Sequence, residues 1–354
     1  MAAHSSRRYY IIKWIANMNK HRDPYWDNLK FVLICLVVLG HFLLPVKPLG
    51  QLARTAFYWI YLFHMQAFVF VSGYTSKSYV HKDGKEKKLT GFLITFLTFT
   101  VCIELIEFIF TQGIRPKVFV TITGAPWYML AMFFWYLLLP LVSRVRPTIT
   151  LPAAVFAAVV CGLFPACGDF LSLSRTIVFF PAFLAGYYFD GKWLRKIDRR
   201  SIIIASTFLI SVFLFLFFYR DMAKDFLKII YAKSSYSELE ISNMTGSIYR
   251  LLWLAVSAAM TIALMVIIPK REMRFTYIGS RTLSVYIVHR LIRDVLKYAG
   301  LYRFLGSNIR LLTVSVLLSI IIIYLTSSDP VFNLVNKVFR LGAMPWRSSS
   351  SVRA

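Results

Sequence analysis

Acidic residues are scarce in this chain: Asp and Glu number 16 among 354 residues, against 41 Lys and Arg, for a formal net charge of +25. Charge of either sign is thin, at 16%, where an ordinary soluble protein carries about 25%. That scarcity excludes a disordered chain and argues against a water-soluble globule, which needs more polar surface. Cysteine is limited to Cys35, Cys102, Cys161 and Cys167, each in or beside an apolar stretch. No pair has zinc spacing, so neither a disulfide scaffold nor a structural metal site is expected. The Gly-x-Ser-x-Gly elbow, the Walker loop, the His-Glu-x-x-His helix and the dinucleotide fingerprint are all missing, and so is any repeat of fixed period. No cleavable signal pattern is visible in the polar, basic and aromatic first 28 residues, so the first apolar helix is expected to direct its own insertion.

What remains is strongly apolar. Hydrophobic residues make up 58% of the chain and aromatics 17%, with 31 Phe, and the mean hydropathy is +0.62. This composition predicts an all-α, polytopic membrane protein. Ten apolar segments read as spans, at 29–46, 55–76, 90–111, 124–143, 150–168, 175–190, 201–219, 249–268, 278–298 and 309–326. With the N-terminus inside, the segments between spans that face the cytoplasm hold 24 Lys and Arg, and those that face outward hold 9. The bias predicts an even number of spans and two cytoplasmic termini. Basic runs set between apolar stretches are cytoplasmic loops under that rule, so nucleic acid is not expected as a partner; the bilayer is. The expected organisation is a cytoplasmic segment 1–28, one transmembrane domain 29–326 and a cytoplasmic tail 327–354. The longest outward loop, 220–248, holds the sequon Asn243-Met244-Thr245, a pattern too short to indicate glycosylation by itself.

Ionisable groups inside hydrocarbon cost several kcal/mol unless paired or hydrated, so each needs a reason. Lys30 opens the first span and His41 follows eleven residues later, about 20° past three full turns and about 16 Å farther along one helix face. Asp27 can pair with Lys30 or, with Asn28, cap the helix. Taken alone, Lys30 fits a lysine that snorkels to the interface, and His41 fits a hydrogen bond between helices. His64 lies in the second, antiparallel span at a comparable depth. Glu104 and Glu107 lie in the third span, and His289 in the ninth, the least hydrophobic, beside Arg281, Arg290, Arg293 and Asp294. These acid–base positions point to a polar cavity for reaction or transport. Histidine is the best available base for taking a proton from a hydroxyl near neutral pH. The His289-x4-Asp294 spacing also occurs in soluble-faced glycerolipid acyltransferases, but two residues are a weak pattern.

Five ordered stretches resemble the acyltransferase-3 family. The first is Asp27-Asn28-Leu29-Lys30, FVLICLVVLG, then His41: a basic residue, ten intervening positions and a histidine. The second, Phe63-His64-Met65-Gln66 through Phe70-Val71-Ser72-Gly73-Tyr74, resembles the fucose 4-O-acetylase-like branch, with Gln66 where Pro is usual. The others are Pro126-Trp127-Tyr128-Met129-Leu130, Phe180-Pro181-Ala182-Phe183-Leu184-Ala185-Gly186-Tyr187-Tyr188, and Ile278-Gly279-Ser280 through Tyr286-Ile287-Val288-His289. The resemblance implies a ten-helix enzyme that moves an acyl group, usually acetyl from acetyl-CoA, onto a hydroxyl, mostly of a cell-surface sugar. It implies His41 as the catalytic residue, with His64 assigned to positioning the acceptor or the oxyanion. It implies Lys30, where the family more often has Arg, as the residue that meets the donor. Ser72, Tyr74, Trp127 and His289 are the candidate acceptor-side residues.

The rival expectation is a transporter or flippase of a sugar or lipid intermediate, since broken spans and an intramembrane His and Glu set suit it as well. A non-catalytic partner in polysaccharide export is a third. Trp127, Tyr74, Tyr58 and Tyr61 could stack on sugar rings, although aromatic belts at membrane interfaces account for most such residues.

Overall fold

Long apolar stretches without a two-residue alternation favour helix over strand, and the computed structural model of the chain is helical throughout. It describes residues 23–44, 50–80, 85–113, 119–122, 124–305 and 309–341. Most of the expected segment 1–28, the tail beyond 341 and parts of four loops lie outside the described residues. The main helices are α1 (Pro24–Leu43), α2 (Gln51–Thr75), α3 (Lys85–Thr111), α4 (Trp127–Val142), α5 (Pro147–Val160) and α6 (Leu173–Tyr188). They continue with α7 (Arg199–Tyr219), α8 (Asn243–Ile267), α9 (Thr282–Tyr298), α10 (Ile309–Thr326) and α11 (Asp329–Leu341). Among the described residues the only β pairing is an isolated bridge between Thr121 and Phe170.

Each of the ten apolar segments falls on one of α1 to α10. Five of these helices, α1, α2, α3, α7 and α8, are long and apolar enough to cross a membrane. A sixth span results if α10 and α11, bent by 68° at their junction, are taken together. Two physical features set the other helices apart. Helices α4, α5 and α6 run for 16, 14 and 16 residues, about 24 Å or less, whereas the hydrocarbon layer is about 30 Å thick. Helix α9 is long enough for most of that distance but carries too many charges.

Local chemistry fixes the helix ends. Asp23 caps α1 by accepting from the Tyr25 amide at 3.0 Å, and Pro24 follows at the first helical position. So the cap of α1 is Asp23, and Asp27 instead pairs with Lys30. Asp198 caps α7 through Ser201, and those hydrogen bonds hold its carboxyl below the usual carboxylate range. Ser242 caps α8 by accepting from the Thr245 amide at 3.1 Å, so Thr245 of the sequon serves a helix start.

Helix α1 runs through the middle of the bundle, packed by α2, α9, α10 and the short helix Thr276–Gly279. The tightest crossing joins α2 to α6. A Cβ on Gly73 would strike the Phe183 carbonyl, and one on Gly186 would strike the Phe70 carbonyl, so the two backbones touch reciprocally. Close approach through small residues is how membrane helices gain packing when lipid removes the hydrophobic drive between them. Indoles secure other crossings: buried Trp253 donates to Leu62 O at 2.8 Å and buried Trp135 to Thr176 O at 2.9 Å, and half-buried Trp59 donates to Leu209 O at 3.0 Å. Outward faces stay apolar, with Ile203 57% and Phe218 68% exposed on α7, as a lipid-facing surface should be.

Candidate active site

The last turn of α1, the middle of α2, the start of α4, α6 and α9 enclose a cavity of about 660 Å³. Its walls include His41, His64, Trp127 and Arg175. The segment expected as a long outward loop closes over it. Residues 224–231 form a short helix and a 3-10 turn, Ile229, Ile230 and Ala232 are buried, and Tyr231 and Lys233 join the wall.

At the cavity His41 Nδ1 lies 2.9 Å from His289 Nε2. The two rings are nearly parallel, with centroids 5.1 Å apart. Hydrogen-bond logic assigns the protons. His289 Nδ1 is 2.7 Å from the Val285 carbonyl, which can only accept, so Nδ1 carries the hydrogen. In a neutral ring Nε2 of His289 is then bare and accepts from His41 Nδ1. His41 in turn keeps its Nε2 lone pair free. The result is a relay of carbonyl, His289 and His41 that fixes one tautomer and leaves a base atom available, the arrangement by which a third group orients a general base. His64 follows the same rule: Nδ1 donates to Ile60 O at 2.7 Å, and Nε2 is left to accept.

Positive charge surrounds these rings. Arg290 Nε lies 3.1 Å and Arg293 Nη2 2.6 Å from opposite oxygens of Asp294. Asp294 is thus engaged by two guanidinium groups and is not the partner of His289, which bonds His41 and Val285 instead. Arg175 reaches Asp169 at 3.6 Å and sits 5.6 Å from the centre of the Trp127 ring, within cation–π range. Tyr286 lines the same wall, and its hydroxyl donates to the Ala125 carbonyl, which holds the turn before α4.

His41, His64, His289 and Trp127 therefore meet at one place. Other candidates lie elsewhere. Ser72 is buried in the helix wall, where its hydroxyl bonds Phe68 O and the Tyr128 hydroxyl. Tyr74 stacks on Trp26, ring centres 3.7 Å apart. Lys30 is at the far end of α1, half-buried, with Nζ 2.6 Å from Asp27 Oδ1. None of the three lines the cavity, and neither do Glu104 and Glu107. The wall residues not foreseen are Arg175, Tyr231, Lys233 and Lys297, with Arg290 and Arg293 foreseen only as charges. On α9 the signal was available: Tyr286, Arg290, Arg293 and Lys297 recur every three or four positions and form one stripe, with His289 beside it. Lys233 gave none, because only the folding-in of its loop brings it to the site.

A helical bundle with membrane-length apolar helices, holding an oriented histidine pair inside a cationic cavity, has the makings of a membrane-embedded transfer enzyme. The chain belongs to the acyltransferase-3 family, whose model, described as an acyltransferase domain, matches residues 23–328. No curated protein and no solved structure matches it.

Proposed function

We propose that the protein is an integral-membrane O-acyltransferase that moves acetyl from acetyl-CoA to a hydroxyl of a cell-surface sugar or glycan, as in the fucose 4-O-acetylase-like branch. In this reading the ten helices cross or enter the cell membrane, and both termini are cytoplasmic. The observation that carries it is the His41–His289 pair, whose hydrogen bonds leave His41 Nε2 free on the cavity wall.

The cavity, at about 660 Å³, falls within the roughly 300–1,000 Å³ of small-molecule sites. It has room for a sugar ring and an acyl group. Bound acetyl-CoA supplies a thioester carbonyl open to attack and a thiolate leaving group. His41 Nε2 takes the proton of the acceptor hydroxyl as its oxygen bonds to the carbonyl carbon, and returns that proton to the departing sulfur when the carbon–sulfur bond breaks. His289 holds the His41 ring and shares the positive charge that develops there, as an orienting partner does in hydrolytic triads. His64 Nε2, left to accept by the bond from Nδ1 to Ile60 O, positions the acceptor sugar through one of its hydroxyls. Lys30, about 16 Å down the same helix face, meets the donor's phosphates from the cytoplasmic side.

The test is direct. Purified protein given acetyl-CoA and a panel of sugars should release free coenzyme A and form an O-acetyl ester, and His41→Ala should do neither. Labelled sugar crossing vesicles that hold the protein, with no coenzyme A released, would establish the transporter instead.

A further inference from the structure

The cavity is unusually one-sided in charge. Arg175, Lys233, Arg290, Arg293 and Lys297 line it, and among the described residues no Asp or Glu does. Behind the wall Asp169 and Asp294 offset them among the described residues, and Asp294 is shared by two arginines. Lys233 and Lys297 are exposed at the mouth and form no ion pair among the described residues. Like charges gathered in a low-dielectric cavity repel one another strongly, and a membrane protein keeps such groups where a ligand of opposite charge offsets the cost. Guanidinium groups match carboxylate and phosphate oxygens in a two-pronged geometry.

From this we infer that the acceptor is itself an anion: a sugar that bears a carboxylate or a phosphate close to the hydroxyl that is acylated. The inference rests on the acyltransferase reading and narrows its substrate. Position argues for the acceptor over the donor. Arg290 follows His289 directly and Arg293 comes one turn later, so both charges flank the histidine pair. A donor whose thioester reaches His41 holds its phosphates at the other end of the pantetheine arm, about three helix turns away. The cations beside the reacting centre are therefore free to read the acceptor. Trp127, with Arg175 over its ring, offers a face for the sugar next to a charge for its anion.

Matched acceptor pairs test it: a uronic acid oligosaccharide against its methyl ester, and a hexose phosphate against the hexose. For wild-type protein in detergent, kcat/KM should favour the anionic member of at least one pair by about tenfold or more, as close charge pairing does. Which pair responds distinguishes carboxylate from phosphate. Lys233→Met, Lys297→Met and Arg293→Gln should each erode that preference and leave the KM for acetyl-CoA within about twofold. The lysines lie at the exposed mouth, so they keep the test valid if Arg293→Gln fails to fold. Inorganic phosphate should compete with the acceptor and not with acetyl-CoA. Equal use of both members in both pairs overturns the inference, as does a KM for acetyl-CoA that rises with loss of these cations. Equilibrium binding of the same sugars without acetyl-CoA separates it from the parent reading. Charge-dependent binding that the lysine variants lose, in a protein that transfers nothing, would support the anion site and sink the transferase.

Discussion

At the Pro24 end of α1 Tyr25, Asn28 and Lys30 are tied to protein, whereas at the Leu43 end polar atoms face open space. Asn28 donates to Pro269 O and Arg271 O, both at 2.8 Å, and accepts from Thr276 Oγ1 at 2.6 Å. Tyr25 donates to Met265 O at 2.7 Å, and Lys30 pairs with Asp27. Gly279 packs on the Asp27 carbonyl so tightly that a Cβ there would overlap it. Eleven residues beyond Lys30, His41 bonds one imidazole and presents its other nitrogen to the cavity. One helix thus has a clasp at one end and a reacting group at the other. Buried polar groups at the clasp are satisfied and so contribute rigidity. At the cavity the free lone pair of His41 Nε2 is what makes chemistry possible. The difference teaches that polarity within the bundle signals a site only where the partners are incomplete.

Substitutions at the two ends should therefore fail in different ways. The largest effect on turnover belongs to His41→Ala, which removes the base and should cost about 10²- to 10⁴-fold in kcat with folded yield close to wild type. His289→Ala should cost less than His41→Ala, because it frees the tautomer without removing the base. Coenzyme A release by the purified variants measures both. Near-wild-type turnover in His41→Ala would remove the contrast between the ends altogether.

The clasp should break through folding. Gly279→Ala places a methyl where the Asp27 carbonyl stands, and backbone cannot yield as a flexible side chain can. Overpacking of this kind costs about 1–3 kcal/mol even among side chains, so the amount of monodisperse protein recovered from membranes should fall sharply. Asn28→Ala acts on the same clasp through lost partners: two carbonyls lose a donor and the Thr276 hydroxyl loses its acceptor, at about 1–3 kcal/mol for a buried group left unsatisfied. A lower thermal midpoint with unchanged kcat is expected. A drop in kcat with an unchanged midpoint would show that the clasp belongs to the site.

How far the sequence reveals this arrangement depends on what each residue needs. Helical periodicity and basic bias depend on the local chain, so an all-helical membrane bundle was readable from composition. The histidines were readable too, because an imidazole in hydrocarbon is conspicuous wherever it lies. The stretches around Gly73 and Gly186 hold the crossing of α2 and α6. Tyr74 follows Gly73 at the α2–α6 crossing, Ser72 bonds Tyr128 of α4, and neither lines the cavity. The number of spans is less legible than the class, because hydropathy averages over a window, while α4 to α6 stop short of a membrane thickness. Tyr231 and Lys233 could not be read, since only tertiary folding returns their loop to the bundle.

Lys30 carries the smallest expected effect and the finest distinction. It shares a face of α1 with His41, yet it stands in the clasp, 2.6 Å from Asp27. If it serves the donor, Lys30→Ala should raise the KM for acetyl-CoA well above wild type and leave that for the acceptor alone. The effect should shrink as salt rises, because a charge contact at a half-open site is screened over about 8 Å at physiological ionic strength. Lys30→Arg should keep most function, since Arg preserves the charge and adds a fork suited to phosphate. If Lys30 serves the clasp alone, removal of the ion partner of Asp27 should lower yield and thermal midpoint and leave both KM values in place. Donor and acceptor titrations on the two variants, each paired with a melting curve, separate the roles. A well-folded Lys30→Ala with unchanged donor KM would confine Lys30 to structure and require the donor to reach His41 by another path, while His41 would remain the base.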